Sequence, residues 1–200
     1  MDEGVDLSAN NNQKPSKVGL AGKILVGLTG GAALGLSVVC ASFVSPAFRK
    51  FCLPYIPATK NQVDNIVVAL AGRGGSLLDL GSGDGRIVLE AARRDFVAHG
   101  VELNLWLVLY SKLDALRKGL GNKVDFYRRD LWKFNLSGYD NIVIFGVEQM
   151  MADLEKKFDL ECKNGCNVVA CRFPLPNKTP VRTYGCGIDT VWVYVFNKPP

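Results

Sequence analysis

Histidine is almost absent: the chain has one, His99, and its six cysteines include no Cys-x-x-Cys pair. A structural zinc site needs four clustered thiolate or imidazole ligands at tight spacing. Cys162 with Cys166 is the nearest approach and falls short, so no metal is expected. With Cys40, Cys52, Cys171 and Cys186 they read as free thiols of a reducing compartment, and His99 as a packing or solvent-contact residue. Also missing is any run of five or more Lys or Arg residues, and basic and aromatic residues do not interleave in a repeated pattern. No nucleic-acid partner is therefore expected. The net charge of +5 is a mild excess that suits an anionic surface. No internal repeat is visible.

Charge is absent altogether from Ile24–Val44, 21 residues in length. As a helix this stretch is about 31 Å long, close to the hydrocarbon thickness of a bilayer. A cleaved signal peptide has a shorter apolar run, and a buried helix of a soluble domain shows a polar stripe that this one lacks. A membrane anchor, which can double as a targeting signal, is the expectation. Gly27, Gly31 and Gly35 fall on one face, a spacing that lets helices approach closely, though glycine is common in membrane helices generally. Lys14, Lys17 and Lys23 precede the run and Arg49 and Lys50 follow it, so charge leaves the orientation open. The expected layout is a polar, disordered tail over 1–17, an anchor over 18–48 and a folded domain over 49–200.

What is present after the anchor is an alternation of elements. Pro46, Pro54 and Pro57 interrupt the chain. Thr59 and Gln62 then have the spacing of a capping box, followed by Val63, Ile66, Val67 and Leu70 on one helical face. Strands are expected at Ser76–Leu80, Phe96–Val101, Val124–Tyr127, Asn141–Phe145, Asn167–Phe173 and Thr190–Phe196. Helices are expected at Arg86–Arg94, at Asn104–Lys118 with Leu107, Tyr110 and Leu113 among its apolar positions, and at Gln149–Phe158 with Met150, Met151, Leu154 and Phe158. This order predicts an α/β fold, a doubly wound and mostly parallel sheet with helices on both faces.

In such a sheet, ligands sit at the carboxyl ends of the central strands. The first of these reads Asp79-Leu80-Gly81-Ser82-Gly83-Asp84-Gly85. A nicotinamide fingerprint places its third glycine three positions after the second; here Gly85 follows Gly83 by two. Asp79 would repel a pyrophosphate but suits a cationic ligand such as S-adenosylmethionine, which carries an ammonium and a sulfonium. Glu102, about 20 residues on, is placed to accept from two ribose hydroxyls; alone it would be a solvated loop acid. Asp130 follows the third strand and either accepts from an adenine amino group or caps a turn. The candidate cofactor-binding set is Asp79, Gly81, Ser82, Gly83, Glu102, Leu103, Asp130 and Leu131.

Several runs go further. Arg49–Thr59, Ser76–Val88, Glu102–Val108, Asp130–Lys133, Asn141–Met151, Val169–Pro174 and Gly187–Trp192 together resemble the ATP synthase c subunit lysine methyltransferases, and also their sister family, the adenine nucleotide translocase lysine methyltransferases. The resemblance covers roughly residues 20–195. It implies a seven-β-strand (class I, Rossmann-like) methyltransferase with an N-terminal transmembrane helix. Its cofactor would be S-adenosylmethionine, held through Asp79, Gly81, Gly83, Glu102 and Asp130. Its substrate would be a lysine of a mitochondrial inner-membrane protein, the c subunit of ATP synthase or, alternatively, the translocase, with the domain facing the matrix. Leu105, Glu148 and Cys186 depart from the family's usual residues. Phe145-Gly146-Val147-Glu148 stands where many amide and nucleobase methyltransferases carry an Asn/Asp-Pro-Pro-aromatic loop, which argues against those acceptors. Phe145, Phe173, Tyr184 and Trp192 either wall a lysine channel or are core aromatics. Glu148 reads as a base or, more simply, a solvated acid, so no catalytic residue is assigned. A membrane-bound small-molecule or lipid methyltransferase and a non-enzymatic scaffold are the competing readings.

Overall fold

The structure, a computed structural model, describes residues 19–44 and 55–197. The 1–17 tail and Pro46 and Pro54 lie outside the described residues. Helix α1, Leu20–Val44, is described by itself. Its stretch Leu20–Ala41 is long and apolar enough to cross a membrane, with a mean hydropathy of 2.1 and none of it buried. It begins four residues ahead of the expected run, taking in Lys23.

The folded domain opens with α2, Lys60–Ala69. Its capping box forms as read: the Thr59 hydroxyl accepts from the Gln62 N–H at 3.0 Å, and Gln62 Oε1 accepts from the Thr59 N–H at 3.0 Å. β1 (Ser76–Leu80), α3 (Arg86–Ala92), β2 (Val97–Glu102), α4 (Leu105–Arg117), β3 (Val124–Arg128), β4 (Asn141–Phe145), α5 (Glu148–Glu161), β5 (Cys166–Cys171), β6 (Arg182–Tyr184) and β7 (Val191–Phe196) follow. They build one seven-stranded sheet in the order β3-β2-β1-β4-β5-β7-β6. β1 pairs in parallel with both β2 and β4, so strand order reverses between β1 and β4. β7 alone runs antiparallel, against β5 on one side and β6 on the other.

The central strands are buried on both faces, which is why they read as near-continuous apolar runs. Leu77, Val143, Val169, Val191 and Val193 face a layer made by α2, α3 and α4; Leu78, Leu80, Ile142, Ile144, Val168 and Tyr194 face α5. Met150, Met151, Leu154 and Phe158 of α5 are all buried, as their spacing predicted. α4 differs. Leu107 points inward, but Tyr110 and Leu113 are exposed, because Val108, Ser111 and Ala115 complete the buried stripe instead. β6 is absent from the expected strands; its three residues are short and mostly exposed, without an apolar alternation to announce them. It forms the final hairpin with β7. The five described cysteines, which exclude Cys52, are free thiols. His99 lies within β2, its Nδ1 2.8 Å from the Tyr139 hydroxyl and its ring edge-on to Tyr127 and Tyr139.

Candidate functional site

β1 delivers its chain to the reversal point of the sheet. Beyond Leu80 the backbone turns at Gly81, whose φ of 79° an L side chain rarely adopts, and open space lies where its Cβ would be. The Gly81 and Ser82 N–H groups donate to the Val101 carbonyl at 2.8 and 3.0 Å, tying the loop to the end of β2. Gly85 starts α3 at a φ of 79°, where a Cβ would meet Phe126 at 2.8 Å. Backbone therefore lines the hollow while the loop's own small residues pack beneath it. The Ser82 hydroxyl is part of that underside: it is buried, turned toward Gly100 and without a hydrogen-bond partner.

Three acids converge here. Asp79 is 1% exposed, and neither of its carboxylate oxygens has a partner. Burial, then the negative charges of Glu102 and Asp84, push its carboxyl up to about 8. Glu102 closes β2; its Oε1 accepts from the Leu103 and Asn104 N–H groups at 2.7 and 2.8 Å, and its Oε2 accepts from the Gly83 N–H at 3.1 Å. Asp84 is locked to Arg86, whose Nε and Nη2 donate to it at 3.0 and 2.6 Å. Burial alone would raise the Asp84 carboxyl, but the guanidinium more than offsets this and holds it below the usual range.

Glu102 and Gly83 thus join the second strand to the glycine turn, a contact that the sequence reading did not include. Leu103, partly buried, contributes a backbone N–H to the Glu102 carboxylate. Asp130 sits past β3, where its Oδ1 accepts from the Trp132 N–H at 3.0 Å and caps a 3-10 turn over Leu131–Lys133. The capping role is thus realised at that oxygen. Leu131 is buried in the same apolar cluster as Leu80 and Val101.

Sequence reasoning missed a segment packed over the glycine turn and a strained residue. Tyr55 lies over the glycine turn, so that a Cβ on Gly83 would come within 2.9 Å of its ring, and Arg86 Nη1 donates to the Ala58 carbonyl. Thr59 Oγ1 donates to Asp189 Oδ1 at 2.6 Å and Asn65 Nδ2 to the Asp189 carbonyl at 2.9 Å. The 55–65 segment therefore bridges the glycine turn and the β6–β7 connection. The contacts to Asp189 cross 130 and 124 residues of sequence, and no local spacing announces them. After β5, Arg172 holds a left-handed φ of 71° with its Nε buried and unpartnered. A bulky residue in that region stores strain of the kind found at functional sites.

The four aromatics divide between the two faces of the sheet. Phe145 and Tyr184 pack on the α2–α4 side of the sheet, and Phe173 and Trp192 on the α5 side. Gly146 is explained by α5, since a Cβ there would lie 2.5 Å from Met151 Sδ. Glu148 occupies the first position of α5 and is exposed, where the helix N-terminus stabilises its charge.

Comparison with known proteins gives these features a family. The ANTKMT methyltransferase domain matches residues 79–182, and the N-terminal domain of the ATP synthase c subunit lysine N-methyltransferases matches residues 15–49. The chain is 53% identical to the ATP synthase c subunit lysine N-methyltransferase of Homo sapiens over 86% of its own length and 74% of that protein's. The Xenopus laevis counterpart is 49% identical over 94% and 82%. The adenine nucleotide translocase lysine N-methyltransferase of Mus musculus is 38% identical over 97% and 86%. Among solved structures, an RNA methyltransferase of Salinibacter ruber in complex with S-adenosyl-L-homocysteine superposes with a TM-score of 0.68 at 28% identity, covering 72% of this chain and 96% of that one. The chain belongs to the ATP synthase c subunit lysine N-methyltransferase family and is an S-adenosylmethionine-dependent protein-lysine N-methyltransferase of the seven-strand fold.

Proposed function

We propose that the enzyme is anchored by α1 in the mitochondrial inner membrane, with its domain on the matrix side, and methylates a lysine of the ATP synthase c subunit. The relatives named for that substrate support this choice, being 44–53% identical against 38% for the translocase enzyme. The translocase is the second candidate substrate, and the anchor suits either, since both lie in a membrane.

One observation carries the cofactor reading: a buried carboxylate, Asp79, with both oxygens unpartnered and two further acids beside it. Such a group is costly unless a cation meets it, and the site residues fit a ligand with an ammonium and a sulfonium. In this reading Asp79 takes the amino-acid end and the open backbone at Gly81 admits close approach, while Gly83 lies under the Tyr55 ring. Glu102 exchanges its N–H contacts for ribose hydroxyls, and Leu103, Leu131 and Asp130 border the adenine. Ser82 supports the loop from below. The bound cofactor supplies an electrophilic methyl group on sulfur. The chain's task is then alignment, which contributes through lost freedom prepaid on binding. The acceptor lysine, with an ordinary pKa near 10.4, must reach the site unprotonated. Exclusion of water by the docked substrate favours the neutral amine. Glu148 stays solvated.

The test is mass spectrometry of inner-membrane proteins from cells with and without the protein, backed by labelling of the deficient membranes with purified full-length chain. The reading predicts lysine methylation on the c subunit that disappears with the gene and returns on labelling. Methylation confined to the translocase, or to lipid, would replace the substrate. Absence of S-adenosylmethionine binding in calorimetry would leave only a scaffold.

A further inference from the structure

The outward face of α4 is unlike that of the other helices of the domain. Leu105, Trp106, Leu109, Tyr110, Leu113 and Leu116 are between 37% and 69% exposed. At 100° per residue they fill an arc of about 140°, opposite the buried stripe of Leu107, Val108, Ser111 and Ala115. α3 presents Glu90, Arg93 and Arg94 on its outer side, paired with one another, and α5 presents Lys156 and Asp159. A solvent-facing helix carries such charges; α4 has none within its arc except Arg117 near the C-terminal end. Cations stand near the margins, with Lys112 about 20° outside one edge and Arg117 about 20° inside the other, while Lys118, past the helix end, pairs with Asp114 at 2.6 Å.

We propose that this face of α4 lies in the headgroup–acyl boundary of an anionic lipid bilayer. The proposal rests on the reading of α1 as a membrane span. The pattern is that of an interfacial helix: an apolar face, an aromatic pair suited to the headgroup level and flanking basic residues. The chain's connectivity supplies the bilayer. Ten residues, 45–54, separate α1 from Tyr55, and ten residues reach at most about 35 Å. Tyr55, where the described chain re-enters the domain, packs on Gly83, and the Gly83 carbonyl accepts from Ser111 Oγ of α4 at 3.2 Å. The described domain therefore begins at a residue linked through Gly83 to the buried side of α4. Leu105 and Trp106 follow Glu102 by only three and four positions. Docking through α4 holds the cofactor end of the sheet at the headgroup level, where a lysine on a short loop of a membrane protein is within reach.

The test uses the full chain reconstituted in phosphatidylcholine vesicles containing cardiolipin, with and without brominated acyl chains. Of three tryptophans, only Trp106 lies on the α4 face. Wild type should lose about a third of its tryptophan emission to brominated lipid, and Trp106→Phe should lose almost none. A Leu109→Glu/Leu113→Glu variant should keep its S-adenosylmethionine affinity but methylate membrane-embedded substrate at least tenfold more slowly. Equal quenching in wild type and Trp106→Phe, or no quenching in either, would overturn the proposal. So would a dimer in mild detergent that the Leu109→Glu/Leu113→Glu variant dissolves, since a second copy would then cover the face. Carbonate extraction of the same vesicles reads α1 separately: a chain released by carbonate fails as a membrane span, whereas a chain retained but unquenched fails only the α4 proposal.

Discussion

Two aspartates at opposite ends of the same sheet have opposite surroundings. Asp140, just before β4, accepts from the Ser76 N–H and the Ser76 hydroxyl, both at 2.8 Å, and pairs with Lys163 at 2.6 Å. Lys163, then the Ser76 N–H, hold its carboxyl down to about 2. Around it Arg73 reaches Asn141 and the Gly165 carbonyl, and Asn141 reaches the Gly74 carbonyl. Asp79, near the end of β1, has none of this; burial and neighbouring acids leave it at about 8. The amino ends of the strands are thus closed by the chain's own donors. The carboxyl ends keep an acid that nothing in the described chain neutralises. The difference separates a group that holds the fold from one that holds a ligand.

Substitution at the two positions should give opposite results. Asp79→Asn should weaken S-adenosylmethionine binding at least 100-fold by calorimetry, as expected for removing one partner of a buried charge contact. The same variant should raise the melting temperature of the ligand-free protein at pH 8 by about 3–6 °C. Asp140→Ala should do the reverse. It strands the Ser76 N–H and should cost about 2 kcal/mol in urea unfolding, with cofactor affinity per folded molecule within twofold.

The pH windows separate in the same way. Asp79 has a folded value raised above its unfolded one, so its contribution is intact below about pH 4 and is lost as pH rises toward 8. Asp140 has a depressed folded value; its contribution is present above about pH 4 and lost as pH falls through about 2. A melting-temperature profile from pH 4 to 8 should therefore be flatter in Asp79→Asn than in wild type. The smallest effect is expected at Glu148. Glu148→Gln should change the methylation rate by less than about twofold, since an exposed acid at a helix start contributes only a few tenths of a kcal/mol. A tenfold loss would make it part of the chemistry.

The glycine turn, the place of Glu102 at a strand end and the strand-helix alternation were legible because local spacing encodes them. Gly81, Gly83 and Gly85 serve backbone turns, and Asp79 and Glu102 stand near and at the ends of consecutive parallel strands. The capping box at Thr59 and Gln62 formed as written for the same reason. Contacts made across the sheet were not legible. Tyr55 over Gly83, and Thr59 and Asn65 on Asp189, depend on the β6–β7 connection folding back, and β6 has too few buried residues to show a period. α4 misled in a different way. With apolar residues all around, its sequence does not say which side is inward, and the packing of Val108, Ser111 and Ala115 decides it.

Calorimetry of S-adenosylmethionine binding at pH 7, in two buffers of different ionisation enthalpy, tests the central claim most directly. If Asp79 is protonated in the free protein and meets the cofactor's cationic end as a carboxylate, about one proton is released per molecule bound, and Asp79→Asn releases none. Binding of undiminished strength with no proton released by wild type, or with the same release from Asp79→Asn, would contradict the account.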